Sequence, residues 1–479
     1  MKKIFTLFLV LSSLFLYNNI FSQGENIESF HHPRLDTFKI QNYILPDIGY
    51  KSLALGFDFN SNNLTKLNLY YNDTYKYHVN SGINLKNYNY KNNRRLIYKG
   101  IDRFMVLGNI GKYDRVSFLS SDIRKDKIYS RNGFITVSTE RDYKFYKTNK
   151  FFYELDLNSN VGLNSNYSDV NNDINKNHGF NFSIQPAFSL GKGRIEDVTD
   201  AWHIIRILKD FSRTKVLKKT PTDEDIIVLA NAISKTRYKR YFDYRIKRME
   251  NIKFIDTIIR ERQLVSNYDA DYFTSLYDMY QYGALFSRYS GSYFSGGLVP
   301  FANYRYFSGF YISKNFDYGI GLQLKYEYQK PLNQFWQFDF GANFLSNFTL
   351  YKFEADDIIT KKTYLEFFPR IDISISYYPT TRTWCRSSFF VFYNDKLDLE
   401  NNEIGNDNRI VSGLRNSLNY YISPRLRLDF NFNIYYGSNS YLLLNDNDFN
   451  FDPIVYGGLY SLKKGINYLA NVKANYYFY

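Results

Sequence analysis

Cysteine is almost absent from this sequence: one copy, Cys385, occurs among 479 residues. A single cysteine cannot form a disulfide framework, so a small disulfide-stabilised scaffold is excluded. Long apolar runs are missing as well. After residue 17 the chain has no run of about 18–25 apolar residues, which excludes a polytopic helical membrane protein. Histidine is scarce, with five copies, so few residues are available for acid–base catalysis or metal binding.

Aromatic residues are abundant instead. The chain has 48 Tyr, 43 Phe and 3 Trp, together 20% of its residues, while hydrophobic residues make up 44%. This aromatic content argues against intrinsic disorder. Basic residues outnumber acidic ones, 61 against 47, and give a formal net charge of +14. A chain that is polar overall but rich in aromatic residues is typical of a transmembrane β-barrel, whose strands are half apolar and half polar.

The first residues have the pattern of an export signal. Lys2 and Lys3 precede an apolar stretch from Ile4 to Tyr17, which is too short to span a membrane. Ser22 offers a small residue for cleavage before Gln23. We therefore expect residues 1–22 to be a cleavable signal peptide. No cysteine lies at the cleavage site, so a lipoprotein anchor is not expected there.

The main structural signal is a period of two. Apolar and polar residues alternate over Phe180–Leu190, Phe316–Tyr328, Trp336–Phe344 and Leu426–Ile434. Successive side chains of a β-strand point to opposite faces, so each segment has one apolar and one polar face. Strands of soluble sandwiches average about 5–6 residues, whereas these run to about ten or more, the length that crosses a bilayer at a tilt. The alternation therefore predicts a membrane barrel.

The last segment follows the same rule. Tyr468, Val472, Tyr476 and Phe478 share one face, and the chain stops at Tyr479, which is out of phase with them. Here the chain resembles bacterial outer-membrane β-barrel proteins, which end in an amphipathic strand with a terminal aromatic residue. The resemblance implies that Tyr476, Phe478 and Tyr479 form an assembly signal. It also implies outer-membrane localisation, contact with outer-membrane lipids and recognition by the barrel-assembly machinery.

The Ser-Gln cleavage context and the strands rich in Tyr, Asn and Lys resemble outer-membrane proteins of the Bacteroidota in particular. Counting segments gives an all-β transmembrane fold, an antiparallel up-and-down β-barrel of about 14 strands, with 12–16 possible, and an α-helical insertion. Residues 92–128 show no clear alternation. The predicted units are the following: 1–22, signal peptide; 23–49, N-terminal periplasmic segment or plug; 50–190, first barrel strands; 191–283, helical insertion; 284–479, last barrel strands.

Turn composition predicts the orientation. Short turns with proline occur at Gln329–Asn333, Tyr378–Thr381 and Ile422–Pro424. Acidic, Asn-rich segments alternate with them, and we expect these to be long loops: Glu354–Lys362, Asp395–Asn408 and Asn445–Asp452. Outer-membrane barrels have short periplasmic turns and long outer loops, so the proline turns are predicted to be periplasmic.

The period changes in the central insertion. Ala201, Ile205 and Leu208 recur at helical spacing, and Thr220-Pro221-Thr222-Asp223 has the composition of a helix start. Another helix is predicted from Arg237 to Arg262. Because the insertion follows a strand that runs toward the periplasm, we expect it on that side or inside the lumen.

The insertion is basic. Residues 192–262 hold 18 Lys+Arg and 11 Asp+Glu, a net charge of +7. One interpretation is a solvated helix face; the other is a docking surface for an acidic periplasmic partner or for lipid phosphates. Nucleic acid is not expected as a partner outside the cytoplasm. The candidate partner-binding residues are Lys235, Arg237, Lys239, Arg240, Arg245, Lys247 and Arg248.

No enzymatic constellation is evident, so no catalytic residue, metal or cofactor is predicted. Of the five histidines only His78 falls on a predicted strand, without a recognisable Ser or Asp partner. The expected lumen-facing charges alternate with apolar residues and carry both signs. They are Lys325, Glu327, Arg370, Asp372, Arg427 and Asp429. They indicate either a wet pore with charged walls or a salt-bridged filling that stiffens the barrel.

Three functions are compatible with these features. The first is a porin-like channel for passive or partner-assisted solute passage. The second is an accessory or scaffold subunit of an outer-membrane envelope complex that uses the basic insertion to bind a periplasmic partner. An enzyme in barrel form ranks last, so the expectation is that the chain is not an enzyme.

Overall fold

The structure is a computed structural model. It describes these residues: 33–62, 65–67, 71–119, 122–148, 150–171, 173–237, 244–283, 286–309, 311–356, 358–400, 409–423, 426–437 and 465–476. The predicted signal peptide, the loop Asn445–Asp452 and the terminal pair Phe478 and Tyr479 lie outside these ranges.

Fifteen strands are described, and fourteen of them follow one another in a single antiparallel sheet. The order is β1 and then β3 to β15, and β2 pairs with β3 beside this path. This confirms the predicted antiparallel up-and-down fold of about 14 strands. The strand bounds are: β1, Ile48–Asn62; β2, Thr65–Leu67; β3, Tyr71–Asn92; β4, Leu96–Leu119; β5, Asp122–Tyr146; β6, Phe151–Val170; β7, Asp173–Asp197; β8, Tyr289–Ser308; β9, Ile312–Pro331; β10, Trp336–Ala355; β11, Ile358–Tyr377; β12, Thr383–Asp398; β13, Arg409–Ser423; β14, Leu426–Gly437; β15, Gly465–Tyr476.

The wall of this sheet is inverted relative to a soluble protein. On β9 the apolar residues Ile320 and Leu322 are 47% and 48% exposed, while Gln323 and Lys325 on the opposite face are less exposed. The same outward apolar face is found on β7, where Phe188 and Leu190 are exposed. The alternation that is visible in the sequence therefore places apolar residues outside and polar residues inside.

The sheet curves until strands far apart in its order meet. Arg194, near the end of β7, donates to Asn92 Oδ1 at the end of β3 over 2.6 Å. Arg94, in the turn after β3, pairs with Glu196 of β7 at 2.8 Å. Among the described residues β1 and β15 are not paired with each other. Ile48 of β1 and Trp384 of β12, near opposite ends of the sheet, nevertheless share one hydrophobic core.

Two segments differ from the prediction. Residues 92–128, which show no clear alternation, contain β4. The outward face of β4 includes Gly100, Asp102 and Gly108, so the apolar pattern is interrupted there. The loop predicted at Glu354–Lys362 is wrong, because β10 runs to Ala355 and β11 starts at Ile358. Asp356 has a φ of 47°, a left-handed conformation that Asp tolerates in a tight turn.

A boundary also moves in the centre of the chain. The strand predicted to end at Leu190 continues to Asp197, and helix starts only at Thr199. Gly193 of β7 and Gly291 of β8 have φ of 113° and 126°, a conformation that favours glycine, and they lie two residues from each other in the paired register. A side chain at Gly193 would collide with the carbonyl oxygen of Ser292. Glycine at this position therefore permits a backbone conformation and a close strand contact that a side chain would prevent.

Five α-helices are described, one before the barrel and four between β7 and β8. We call the four helices between the strands the helical cap. Thr222 starts the second cap helix in a capping box: Asp225 N donates to Thr222 Oγ1 (3.2 Å), and Thr222 N donates to Asp225 Oδ2 (3.0 Å). None of the described helices has both the length and the apolar character that crossing a membrane requires. The helix bounds are: α1, Pro33–Thr37; α2, Thr199–Arg213; α3, Asp223–Arg237; α4, Tyr244–Glu261; α5, Ala270–Tyr282.

Candidate functional site

The helical cap has an ordinary hydrophobic core. Its central helix α2 is almost completely buried, and the predicted stripe of Ala201, Ile205 and Leu208 is 0% exposed. The apolar residues Ile226 and Leu229 of α3 pack into the same core. Burial of an apolar side chain stabilises by about 1.5–3 kcal/mol relative to exposure, so the cap is held by the same effect as a soluble domain.

The cap is docked on the turns at one end of the barrel. Trp202 Nε1 donates to the carbonyl oxygen of Gln334, in the turn between β9 and β10, over 2.9 Å. Arg206 donates to the carbonyl oxygen of Tyr378, between β11 and β12, over 3.1 Å. Tyr90 of β3 packs against the same core from another part of the wall. The cap therefore bridges separate parts of the rim and lies across this mouth.

Arg288 is the most deeply buried charge at this junction, with an exposure of 0%. Its guanidinium donates to three carbonyl oxygens of one turn: Gln334 and Trp336 at 2.7 Å, and Asn333 at 2.8 Å. It also lies 5.3 Å from the ring centre of Trp202. Burial lowers the pKa of Arg288 to about 10, so the group remains charged at neutral pH.

The N-terminal segment from residue 33 to 48 also packs against the cap. Leu35 and Tyr43 are buried in the cap core, and Gln334 Nε2 donates to the carbonyl oxygen of Leu35 over 2.6 Å. Asp36 forms an ion pair with Lys209 of α2. The sequence predicts a periplasmic segment or a plug here, and the described part of this segment packs together with the cap at the mouth.

Just inside the mouth lies a layer of paired charges, which we call the charged layer: Asp142, Lys144, Glu154, Asp156, Tyr293, Lys325 and Glu327. Lys325 Nζ is 2.9 Å from Asp156 Oδ2, and Lys144 Nζ is 3.2 Å from Glu154 Oε1. Tyr293 donates to Glu327 Oε1 over 2.7 Å. Two of the predicted lumen-facing charges, Lys325 and Glu327, are thus brought together in this layer.

Three carboxylates of the layer have the spacing of a metal site. One oxygen each from Asp142, Glu154 and Asp156 lies within 4.8 Å of the others, and each residue has an oxygen without a hydrogen-bond partner in the described part of the chain. Lys144 is 3.6 Å from Asp142 as well as being paired with Glu154. Because Lys325 pairs with Asp156, each of the three carboxylates has a lysine partner. The arrangement is therefore better described as a set of ion pairs than as a metal site.

The other predicted lumen charges form separate pairs along single strands. Arg370 Nε is 2.7 Å from Asp372 Oδ2 on β11, and Arg427 Nε is 2.7 Å from Asp429 Oδ1 on β14. Residues two apart on a strand share a face, which explains both pairs. In both pairs the cation has its anion two residues away on the same strand.

The described members of the basic run do not form one patch. Arg237 is directed into the cap, where it lies 3.1 Å from Asp200. Lys247 pairs with Glu250 at 2.7 Å, and Arg248 donates to Gln281 over 2.9 Å. Lys235 is exposed. Lys239 and Arg240, and the side chain of Arg245, lie outside the described residues.

His203 is the buried histidine of the cap. Its Nε2 is 2.7 Å from the carbonyl oxygen of Met279, and its ring is enclosed by the core. Burial lowers the pKa of His203 to about 3, and the nearby arginines act in the same direction. The imidazole is therefore neutral and serves packing. The absence of enzymatic activity stays a prediction.

A cavity of about 340 Å³ opens in the half of the lumen away from the cap. We call it the distal pocket; it is lined by residues of six strands, β7 to β12. Sequence reasoning does not find it, because alternation shows which residues face inward but not which strands meet. The lining residues are Gln185, Phe301, Asn303, Arg305, Asn315, Asp317, Asn347, Thr349, Tyr351, Tyr364, Glu366 and Lys396.

The fold and its interior define a β-barrel with an apolar exterior and a charged lumen. No family model and no curated protein matches the chain. Among solved structures it is similar to the β-domain of the Bordetella autotransporter BrkA, at 9% identity and a TM-score of 0.24, over 90% of this chain and 100% of that one.

Two further similarities are at the same level. For CdiB from Acinetobacter baumannii the identity is 9% and the TM-score 0.29, over 88% of this chain and 65% of that one. For a loop-deletion mutant of OmpT, an outer membrane protein of Vibrio cholerae, the identity is 7% and the TM-score 0.23. This similarity covers 90% of this chain and 100% of that one. Such values assign no family, and the fold class is defined by the strand order itself.

Proposed function

We propose that this chain is an outer-membrane β-barrel that conducts polar solutes through its lumen and is closed at its periplasmic mouth by the helical cap. The observation that carries the proposal is the inverted wall. Apolar side chains such as Ile320 and Leu322 are exposed on the outside, and ion pairs such as Lys325–Asp156 lie inside. An apolar exterior of this extent requires lipid or a partner, and a polar interior suits water and solutes.

The cap makes passage conditional in this proposal. It is anchored by contacts with several turns of the rim, among them those of Trp202, Arg206 and Arg288. Such a domain stays closed by itself and opens when a partner with higher affinity for the displaced state binds it. The function is therefore partner-assisted passage, and the basic, periplasmic cap fits an acidic partner.

Conductance in planar bilayers tests this proposal. Full-length protein is expected to conduct weakly or rarely. A double variant, Trp202→Ala with Arg288→Ala, removes anchors of the cap and is expected to conduct steadily. Arg260→Ala is the matched control. It removes a solvent-exposed ion pair with Asp256 within helix α4 and should behave like the wild type. Silence of all three proteins in the bilayer would refute a channel.

A scaffold function is the second candidate. Among the described side chains of α4 and α5, four large apolar ones are exposed: Met249, Phe254, Phe273 and Tyr277. Arg248 lies 4.9 Å from the ring centre of Tyr277. Aromatic, Met and Arg side chains are enriched in protein interfaces, so these exposed side chains suit a protein partner. Silent bilayers, together with loss of a co-purifying envelope protein in Phe273→Ser, would favour the scaffold.

A further inference from the structure

The distal pocket contains acceptor atoms that no described residue satisfies. Asn315 Oδ1, Asp317 Oδ1 and Asn347 Oδ1 are all buried and have no hydrogen-bond partner within the described ranges. Buried polar atoms are normally hydrogen-bonded, so these side chains gain partners when they turn toward a molecule in the pocket that brings donors. The three residues are spread along β9 and β10, so the unsatisfied acceptors form an extended row and not a single point.

The fixed charges of the pocket balance one another. Glu366 accepts from Thr349 Oγ1 over 3.2 Å and lies 3.5 Å from Lys396 Nζ. On the neighbouring strands Arg305 is paired in register with Asn315, two residues from Asp317. Two cationic and two anionic side chains line the cavity, so it has no net charge that would select an ion. A neutral ligand fits this balance.

Aromatic rings form the other part of the lining. The rings of Tyr351 and Tyr364 are 6.1 Å apart, and Phe301 lies over Gly319 of β9. A side chain at Gly319 would collide with the β10 backbone and press against the Phe301 ring, and one at Gly321 would collide with Asn347 Oδ1. The two glycines therefore allow the ring and the amide to lie flat on the wall.

We propose that the distal pocket binds a neutral polyhydroxylated solute, a sugar ring or a short oligosaccharide. Vicinal hydroxyl groups both donate and accept, as the unsatisfied amide and carboxylate oxygens require, and the C–H face of a sugar ring packs on aromatic side chains. The volume of about 340 Å³ lies within the usual range of small-molecule sites. This inference rests on the proposed channel function and names its solute class.

Calorimetric titration of the full-length protein in detergent tests the inference with maltotriose as the probe. Asn347→Leu removes one unsatisfied acceptor and should weaken binding about tenfold, the value of one good hydrogen bond. Asn343→Leu is the matched control. Asn343 is the same residue type on the same face of β10 but outside the pocket, and its replacement should leave affinity unchanged. Tyr364→Leu is the second pocket variant and should also weaken binding.

The outcomes separate this inference from the channel itself. Heat of binding that is lost in Asn347→Leu or Tyr364→Leu and kept in Asn343→Leu supports the sugar site. Absence of binding by the folded wild type, or equal weakening by Asn343→Leu and the pocket variants, overturns it. Conductance without sugar binding would leave the channel intact and remove the site. Sugar binding with silent bilayers would keep the site and remove the channel.

Discussion

The barrel wall and the helical cap place their apolar residues in opposite ways. In the cap, Ile205 and Leu208 are 0% exposed, as in any soluble domain. In the wall, residues of the same type, such as Ile320 and Leu322, face outward. Composition alone does not distinguish the two regions, because both use Ile, Leu and aromatic residues. The period of the apolar residues does distinguish them. Apolar residues three and four positions apart form the buried face of a helix, whereas apolar residues two positions apart form one face of a strand.

The two regions also depend on their surroundings in different ways. The cap is stabilised in water by a hydrophobic core that it shares with the N-terminal segment and the barrel rim. The wall is held by its continuous antiparallel ladder and needs an apolar solvent outside. Substitutions that act on the junction, the core, the buried histidine and the lumen should therefore have effects of different size.

The largest effect is expected at Arg288, where wall and cap meet. Arg288→Met removes three charge-assisted hydrogen bonds to the β9–β10 turn, and we expect cap docking to weaken by about 3–5 kcal/mol. The carbonyl oxygen of Gln334 keeps Trp202 Nε1 as a donor, so the loss is that of the guanidinium and not of every contact. Two of the three tryptophans, Trp202 and Trp384, lie in this core, so tryptophan fluorescence in a urea titration measures cap release.

The control for this experiment is Arg260→Met. Arg260 pairs with Asp256 on the exposed side of α4, and loss of such a solvent-screened pair should change stability little. Equal destabilisation by the two variants would mean that the buried guanidinium is not what docks the cap.

The next prediction compares a substitution in the cap core with one on the outer face of the barrel wall. Ile205→Ala opens a cavity in the cap core and should lower its stability by about 2–5 kcal/mol. Leu322→Ala removes a similar side chain from the outer wall and should change stability by less than about 1 kcal/mol, because detergent or lipid fills the space. Thermal unfolding by circular dichroism measures both. A larger cost for Leu322→Ala would show that this face is covered by protein.

Much of the fold could be predicted from the sequence, because alternation is a local property. The strands around Phe316–Tyr328 and Leu426–Ile434 and the stripe of α2 are all where their periods indicate. The strand β4 could not be predicted in this way, because its outward face carries Asp102. There this carboxylate accepts from Thr139 and pairs with Arg141 at 2.6 Å, a contact between strands that no local pattern reveals.

The candidate sites could be predicted less well than the fold, because they depend on contacts between residues that are far apart in the sequence. Inward-facing charges such as Lys325 could be named from parity, but their partners could not: Asp156 is 169 residues away in sequence. Arg237 belongs to the predicted partner-binding run, yet it contacts Asp200 of α2. Charge density along a helix does not show which side chains turn inward. The distal pocket needed six strands in register before it could be recognised.

A pH effect of intermediate size is expected from His203. Its pKa of about 3 in the folded cap lies below the unfolded value, so the folded state binds fewer protons and loses stability as the pH falls below about 6.5. Between about pH 6.5 and pH 5 the loss should be about 2 kcal/mol. Urea midpoints of cap release at about pH 7 and pH 5 measure it.

His203→Gln is the informative variant for this pH effect. Glutamine keeps a donor for the carbonyl oxygen of Met279 but does not titrate, so the difference between the two midpoints should shrink. An unchanged pH dependence in this variant would assign the effect to other groups. Asp200 is not one of them, because burial raises its pKa and its protonation favours the folded cap as the pH falls.

The smallest effect is expected in the lumen, and it bears on whether the lumen is wet. Arg370 and Asp372 form a pair on β11, and each side chain keeps about a quarter of its surface accessible. If water fills this part of the barrel, the pair resembles an exposed salt bridge, and a double-mutant cycle with Arg370→Gln and Asp372→Asn should give a coupling energy below about 1 kcal/mol. The same cycle at Lys325 and Asp156 in the charged layer should give more, because those groups lie beneath the cap. A coupling above about 2 kcal/mol at Arg370 would indicate a dry, filled lumen, in which charges stiffen the wall and no solute passes.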